Sequence, residues 1–138
     1  MLSFNITEEF WGAEIVLLLS PMETIGAFLA EEESADLAEA VVDALDAGIE
    51  ATTILLPSGK IFVWLPKIPE TPAEHGTLGH ELLHVTRFIL SAGKGIPLND
   101  DTEEVYAHTL GALLTLVWER LQSTRILKED TKWGTFKK

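Results

Sequence analysis

The chain of 138 residues contains no cysteine. That excludes disulfides and any thiolate metal site, so a metal would have to be held by nitrogen and oxygen. It also contains no lysine or arginine before Lys60. Twelve acidic residues fall in 1–59, while 60–138 holds ten of each sign, so the whole net charge of −12 arises in the first part. Such a surface repels nucleic acid and anionic lipid. It suits a basic protein partner or mimicry of a nucleic-acid backbone, although a solvated acidic face is the plainer reading. No long apolar run is present; Ile15 to Leu19 is far too short to cross a bilayer. The start has neither a basic n-region nor a small-residue cleavage site, so a soluble cytoplasmic protein is expected. Repeats and low-complexity segments are missing as well.

What is present is ordinary for one globular domain: 46% hydrophobic and 23% charged residues in a chain long enough to bury its own core. Ala13 to Leu19 reads as a buried strand, short, apolar and closed by Ser20-Pro21. Ser20-Pro21-Met22-Glu23 then has the order of a helix start, with serine as cap and glutamate in the capping-box place, and the helix should end in Glu31-Glu32-Glu33. Ser34 is the expected cap of a second helix carrying Leu37, Val41, Val42 and Leu45 on one stripe, with Asp36, Glu39, Asp43 and Asp46 around it and Gly48 at its end. Ala51 to Leu56 and Lys60 to Leu65, separated by Pro57-Ser58-Gly59, predict a hairpin.

Thr71-Pro72-Ala73-Glu74 repeats the start signal, and the run from Thr71 to Gly93 reads as one helix. Gly76 and Gly79 inside it each cost about 1 kcal/mol against alanine, so a close neighbour is expected there. After a turn at Gly93 to Asn99, another helix should open at Asp100 or Asp101 and run from about Thr102 to Leu121. Glu104, His108, Gly111 and Thr115 fall on one of its stripes, the one expected to line a site. The expected order β, α, α, β, β, α, α gives an α+β fold: a small, mostly antiparallel sheet of about three strands packed against helices, with residues 1–123 as the domain and 124–138 as a partly ordered tail containing Trp133 and Gly134.

The last-but-one helix contains His80-Glu81-Leu82-Leu83-His84. Two histidines four apart project from one helical face and can share a metal ion, while Glu81, about 100° round, can take a proton from a water on that ion. Those are the parts of a zinc hydrolase. Zinc needs at least one more protein ligand. Glu104, twenty residues after His84, is offered by a helical hairpin of that length, and Glu103 beside it cannot share its face. His75 is about 140° round from His80 and points away from the pair, and Arg87 suits a surface ion pair.

HExxH followed about twenty residues on by a glutamate resembles the thermolysin-like zinc peptidases, the gluzincins. The stretch Glu104-Val105-Tyr106-Ala107-His108-Thr109-Leu110-Gly111 is also similar to small phage-encoded metallopeptidase-like proteins. The likeness covers roughly residues 71–122, and His108 stands where such proteins would carry a tyrosine. The resemblance implies a minimal gluzincin-like fold with a two-helix zinc hairpin. It implies Zn2+ held by His80, His84 and Glu104, with Glu81 as general base; His108, one turn beyond Glu104 on the same face, is placed to donate either to a developing oxyanion or to Glu104 itself. It further implies a peptide or protein substrate, and a phage or prophage origin in a bacterial cytoplasm. The alternative is a metal-bound protein without activity, or an acidic protein acting on a phage or host partner.

Overall fold

The computed structural model describes residues 2–32, 35–46, 48 and 50–132. Its centre is a mixed sheet in the order β1-β2-β4-β3, built from β1 (Leu2–Glu8), β2 (Ala13–Leu19), β3 (Thr52–Leu55) and β4 (Ile61–Leu65). β1 and β2 form one antiparallel hairpin, β3 and β4 another, and the two are joined by the parallel pairing of β2 with β4, Ile15 opposite Ile61 through Leu19 opposite Leu65. The class is α+β as expected, with four strands rather than three. The additional strand is β1. Its Leu2, Phe4 and Ile6 turn towards one core while Ser3, Asn5 and Thr7 stay exposed, the alternation of a half-buried strand.

The centre of the sheet is covered on both sides because β2 and β4 are apolar at nearly every position. Ile15, Leu17, Leu19, Ile61, Val63 and Leu65 face α3 (Pro72–Arg87) and α4 (Glu103–Lys132). Val16, Leu18, Phe62 and Trp64 face α1 (Ile25–Glu32) and α2 (Ala35–Asp46). Each such fully buried side chain contributes on the order of 2 kcal/mol relative to exposure. α1 and α2 approach closely at Gly26, where a Cβ would come within 2.8 Å of Val42. Gly48 follows α2 with φ +100°, a conformation glycine adopts without strain.

Ser20 does not cap the first helix. Its N–H donates to Leu65 O at 3.2 Å and its carbonyl accepts from Trp64 Nε1 at 3.0 Å, so it prolongs the sheet. A 3-10 turn, Met22–Thr24, opens on Pro21 without a side-chain cap and leads into α1. Glu33, Ser34, Trp133, Gly134 and the last lysines lie outside the described residues, so the cap assigned to Ser34 and the end of the tail do too. α4 continues to Lys132, past Leu121, because no glycine or proline interrupts the chain there. It also starts later than expected, at Glu103, after Asn99 Oδ1 accepts from the N–H groups of Asp101 and Thr102.

The capping box of α3 is complete. Thr71 Oγ1 accepts from Glu74 N, and Glu74 Oε1 accepts from Thr71 N, both at 3.1 Å. The N–H of Glu70, the ammonium of Lys67 at 2.9 Å and the N–H of Thr71 all converge on the Glu74 carboxylate and hold it down to about 2. α3 does not run unchanged to Gly93; from Phe88 to Gly93 the chain widens into a π-helical turn. No neighbour compensates Gly76 or Gly79, since a Cβ on either would meet nothing within 4 Å.

Candidate metal centre

The HExxH segment lies in the second half of α3, where Leu78, Leu82, Val85 and Ile89 anchor the helix in the core. The two histidines project from the opposite, solvent side. His80 Nε2 and His84 Nε2 are 3.2 Å apart, and the His80 side chain is 68% exposed. Two imidazole nitrogens about 2.05 Å from a tetrahedral zinc are separated by about 3.3 Å. The pair is therefore already spaced as two ligands of one ion; without an ion, the same separation is that of an N–H···N hydrogen bond.

Glu81 is placed differently from its neighbours. It is 6% exposed, and Thr53 of β3 donates to its Oε1 at 2.7 Å. Its other oxygen, Oε2, lies 3.9 Å from His80 Nε2. The strand thus fixes one carboxylate oxygen and leaves the second turned towards the imidazoles. Thr53 escaped the sequence reading. A polar residue repeated in a strand beside apolar β4 is a signal of an edge, but nothing local ties it to Glu81. Beside the pair is an open depression of about 470 Å³ lined by Glu50, Ala51, Ala73, Gly76, Thr77, His80 and Glu81.

Glu104 is not brought to the histidines. α3 and α4 run antiparallel: His75 meets Trp118 edge-on at 4.8 Å, and Tyr106 Oη donates to Ile96 O at 2.6 Å beyond the other end of α3. At 100° per residue His75 is about 140° round from His80 and about 180° from His84. The side of α3 that meets α4 is therefore the side away from the pair. The expected hairpin exists, but α3 itself stands between its imidazoles and the second helix. Glu104 instead faces His108, Oε2 to Nε2 3.6 Å, with both side chains around four-fifths exposed. The stripe Glu104, His108, Gly111, Thr115 is the outer face of α4. His108 borders a different hollow, of about 480 Å³, with Glu8, Phe10, Trp11, Val105, Thr109 and Ala112.

Among the described residues, no three His, Asp or Glu side chains are grouped so as to hold a metal ion. The donor set at the motif is two imidazoles with a held carboxylate beside them. That fits two positions on zinc and does not supply the third protein ligand. Arg87, one turn beyond His84, lies 5.4 Å from the centre of the Phe88 ring and forms no ion pair among the described residues. No described helix is long and apolar enough to cross a membrane. Comparison of the chain with protein-family models, curated proteins and solved structures returns no match.

Proposed function

We propose that this chain is a zinc-dependent hydrolase acting on peptide bonds, with the ion held by His80 and His84 and with Glu81 as proton acceptor. The observation that carries this reading is the 3.2 Å separation of two exposed Nε2 atoms directly beside a buried carboxylate held by Thr53. A merely solvated histidine pair has no need of such a neighbour. Zinc bound there supplies Lewis acidity towards a water and a substrate carbonyl. The chain's own part is proton transfer at Glu81 Oε2, the oxygen that Thr53 leaves free, and that oxygen can hold a proton and return it to a leaving amine. The depression over Gly76 and Thr77 gives an extended peptide room beside the pair.

A second reading, a metal-bound protein without catalysis, is favoured by one observation, the position of Glu104 behind α3. A third, an acidic protein that binds a basic partner, draws on exposed Glu31, Glu39 and Asp43 in a region without any basic residue. Two measurements decide among them. Zinc content after purification without chelator, together with melting temperature against added zinc, tests the site; the absence of both bound zinc and a rise in melting temperature would refute it. Glu81→Gln then tests the chemistry on a casein or peptide-library digest. It should keep zinc and lose hydrolysis, and a variant as active as the parent removes Glu81 from the reaction.

A further inference from the structure

The imidazole pair is half of a tetrahedral site, and it faces outwards. Four nitrogen ligands complete zinc without any carboxylate, and the other half is available from an identical pair. We propose that zinc bridges two copies of this chain through His80 and His84 of each, and that this symmetric dimer is the closed form of the site. The inference rests on the reading of the pair as zinc ligands. It adds regulation: with four imidazoles on the ion no position is left for water, so hydrolysis requires the copies to part.

Three features of the outer face of α3 support a second copy as the occupant. The face is low around the pair, with Ala73, Gly76 and Thr77 on one side and open space where a Cβ on Gly76 would stand. It carries an exposed apolar residue, Leu83, at 51% exposure, next to His84. Its charges are also complementary. Four imidazoles round a tetrahedral ion set the two nitrogen pairs at right angles, so the two α3 helices cross at the histidines rather than lying side by side. Arg87, on the same helical face one turn beyond His84, supplies a cation close to that crossing, and Glu50 borders the same face as its acid, an arrangement the two-fold axis repeats in the mate. Arg87 forms no ion pair within its own chain among the described residues.

Sedimentation velocity of the full chain during a zinc titration tests the proposal. Without zinc the mass should be 15.2 kDa. It should double as zinc approaches half an ion per chain and return towards the monomer when zinc is in several-fold excess, because each pair then takes its own ion. His84→Ala, a change at an exposed position checked for fold by circular dichroism, should stay monomeric throughout. Arg87→Glu spares every ligand; it should weaken the dimer about tenfold while each chain still binds zinc. Zinc bound at monomer mass throughout the titration, with no dimer at half an ion per chain, would overturn the bridge and leave the hydrolase reading standing. No zinc binding would end both. A dimer indifferent to zinc, or one formed equally well by His84→Ala, would also overturn the bridge.

Discussion

Thr53 and Glu81 are joined by a 2.7 Å hydrogen bond between an edge strand and the motif helix, twenty-eight residues apart in the chain. The threonine hydroxyl is the polar partner that makes a carboxylate tolerable in so buried a position. Thr53→Val removes the donor and keeps the shape. The expected loss is about 1–3 kcal/mol of stability by urea unfolding, whereas Thr53→Ser should lose much less. If valine is neutral, Glu81 is not held in the way described.

The metal ligands separate in a set of three alanine variants. At zinc one hundred times its dissociation constant, native-state binding adds about 2.7 kcal/mol, a shift of several degrees in melting temperature. His80→Ala and His84→Ala should abolish that shift. Glu104→Ala should keep it whole, since Glu104 lies on the outer face of α4 beside His108. Loss of the shift in Glu104→Ala would mean that α4 reaches the ion after all.

Gly76 and Gly79 sit in α3 at negative φ with open space where a side chain would begin. Gly76→Ala and Gly79→Ala should each stabilise the protein by about 0.5–1 kcal/mol in thermal or urea unfolding. Gly76 also lines the depression at His80. A weaker zinc response in Gly76→Ala alone would assign that glycine to access rather than to packing.

Glu74 gives the start of α3 a pH dependence of known sign. Its carboxyl is held down to about 2 by the Glu70 N–H, Lys67 and the Thr71 N–H, against 4.5 for an ordinary glutamate. A group with a depressed folded value contributes fully above its unfolded value and progressively less as pH falls. Stability from this cap is therefore present above about 4.5 and drains away between there and about 2. Glu74→Gln should flatten that part of the pH profile, measured as unfolding midpoint against pH; an unchanged slope would contradict the cap's role.

Much of this fold can be read from local signals. The Thr71 and Glu74 box, the apolar run of β2 and the Pro57-Ser58-Gly59 hairpin are each decided by residues a few positions apart. β1 was equally legible, for Leu2, Phe4 and Ile6 alternate with Ser3, Asn5 and Thr7, but so short an alternation competes poorly with the apolar run that follows it. The spacing of His80 and His84 belongs to the helix itself, and the structure keeps it. The failures are tertiary. Counting residues between His84 and Glu104 shows that a hairpin can return, not on which side of α3 it returns. That side is set by Leu78, Leu82 and His75, which pack against the core and Trp118 and leave the histidine pair facing solvent. The gap at Thr53 has the same origin, because an edge strand and a helix meet only once the sheet has formed.

The order of the strands also dictates a sequence of events. Each hairpin closes over a short loop, whereas β2 and β4 must find each other across the forty-odd residues that hold α1, α2 and β3. Closing a loop of that size costs more chain entropy than either turn and carries the slow, non-local part of assembly. The central parallel seam is thus the step that commits the chain to its native topology. Destabilising substitutions at Leu17 or Val63, which meet across it, should slow refolding, while changes at the outer strand β1 should mainly hasten unfolding.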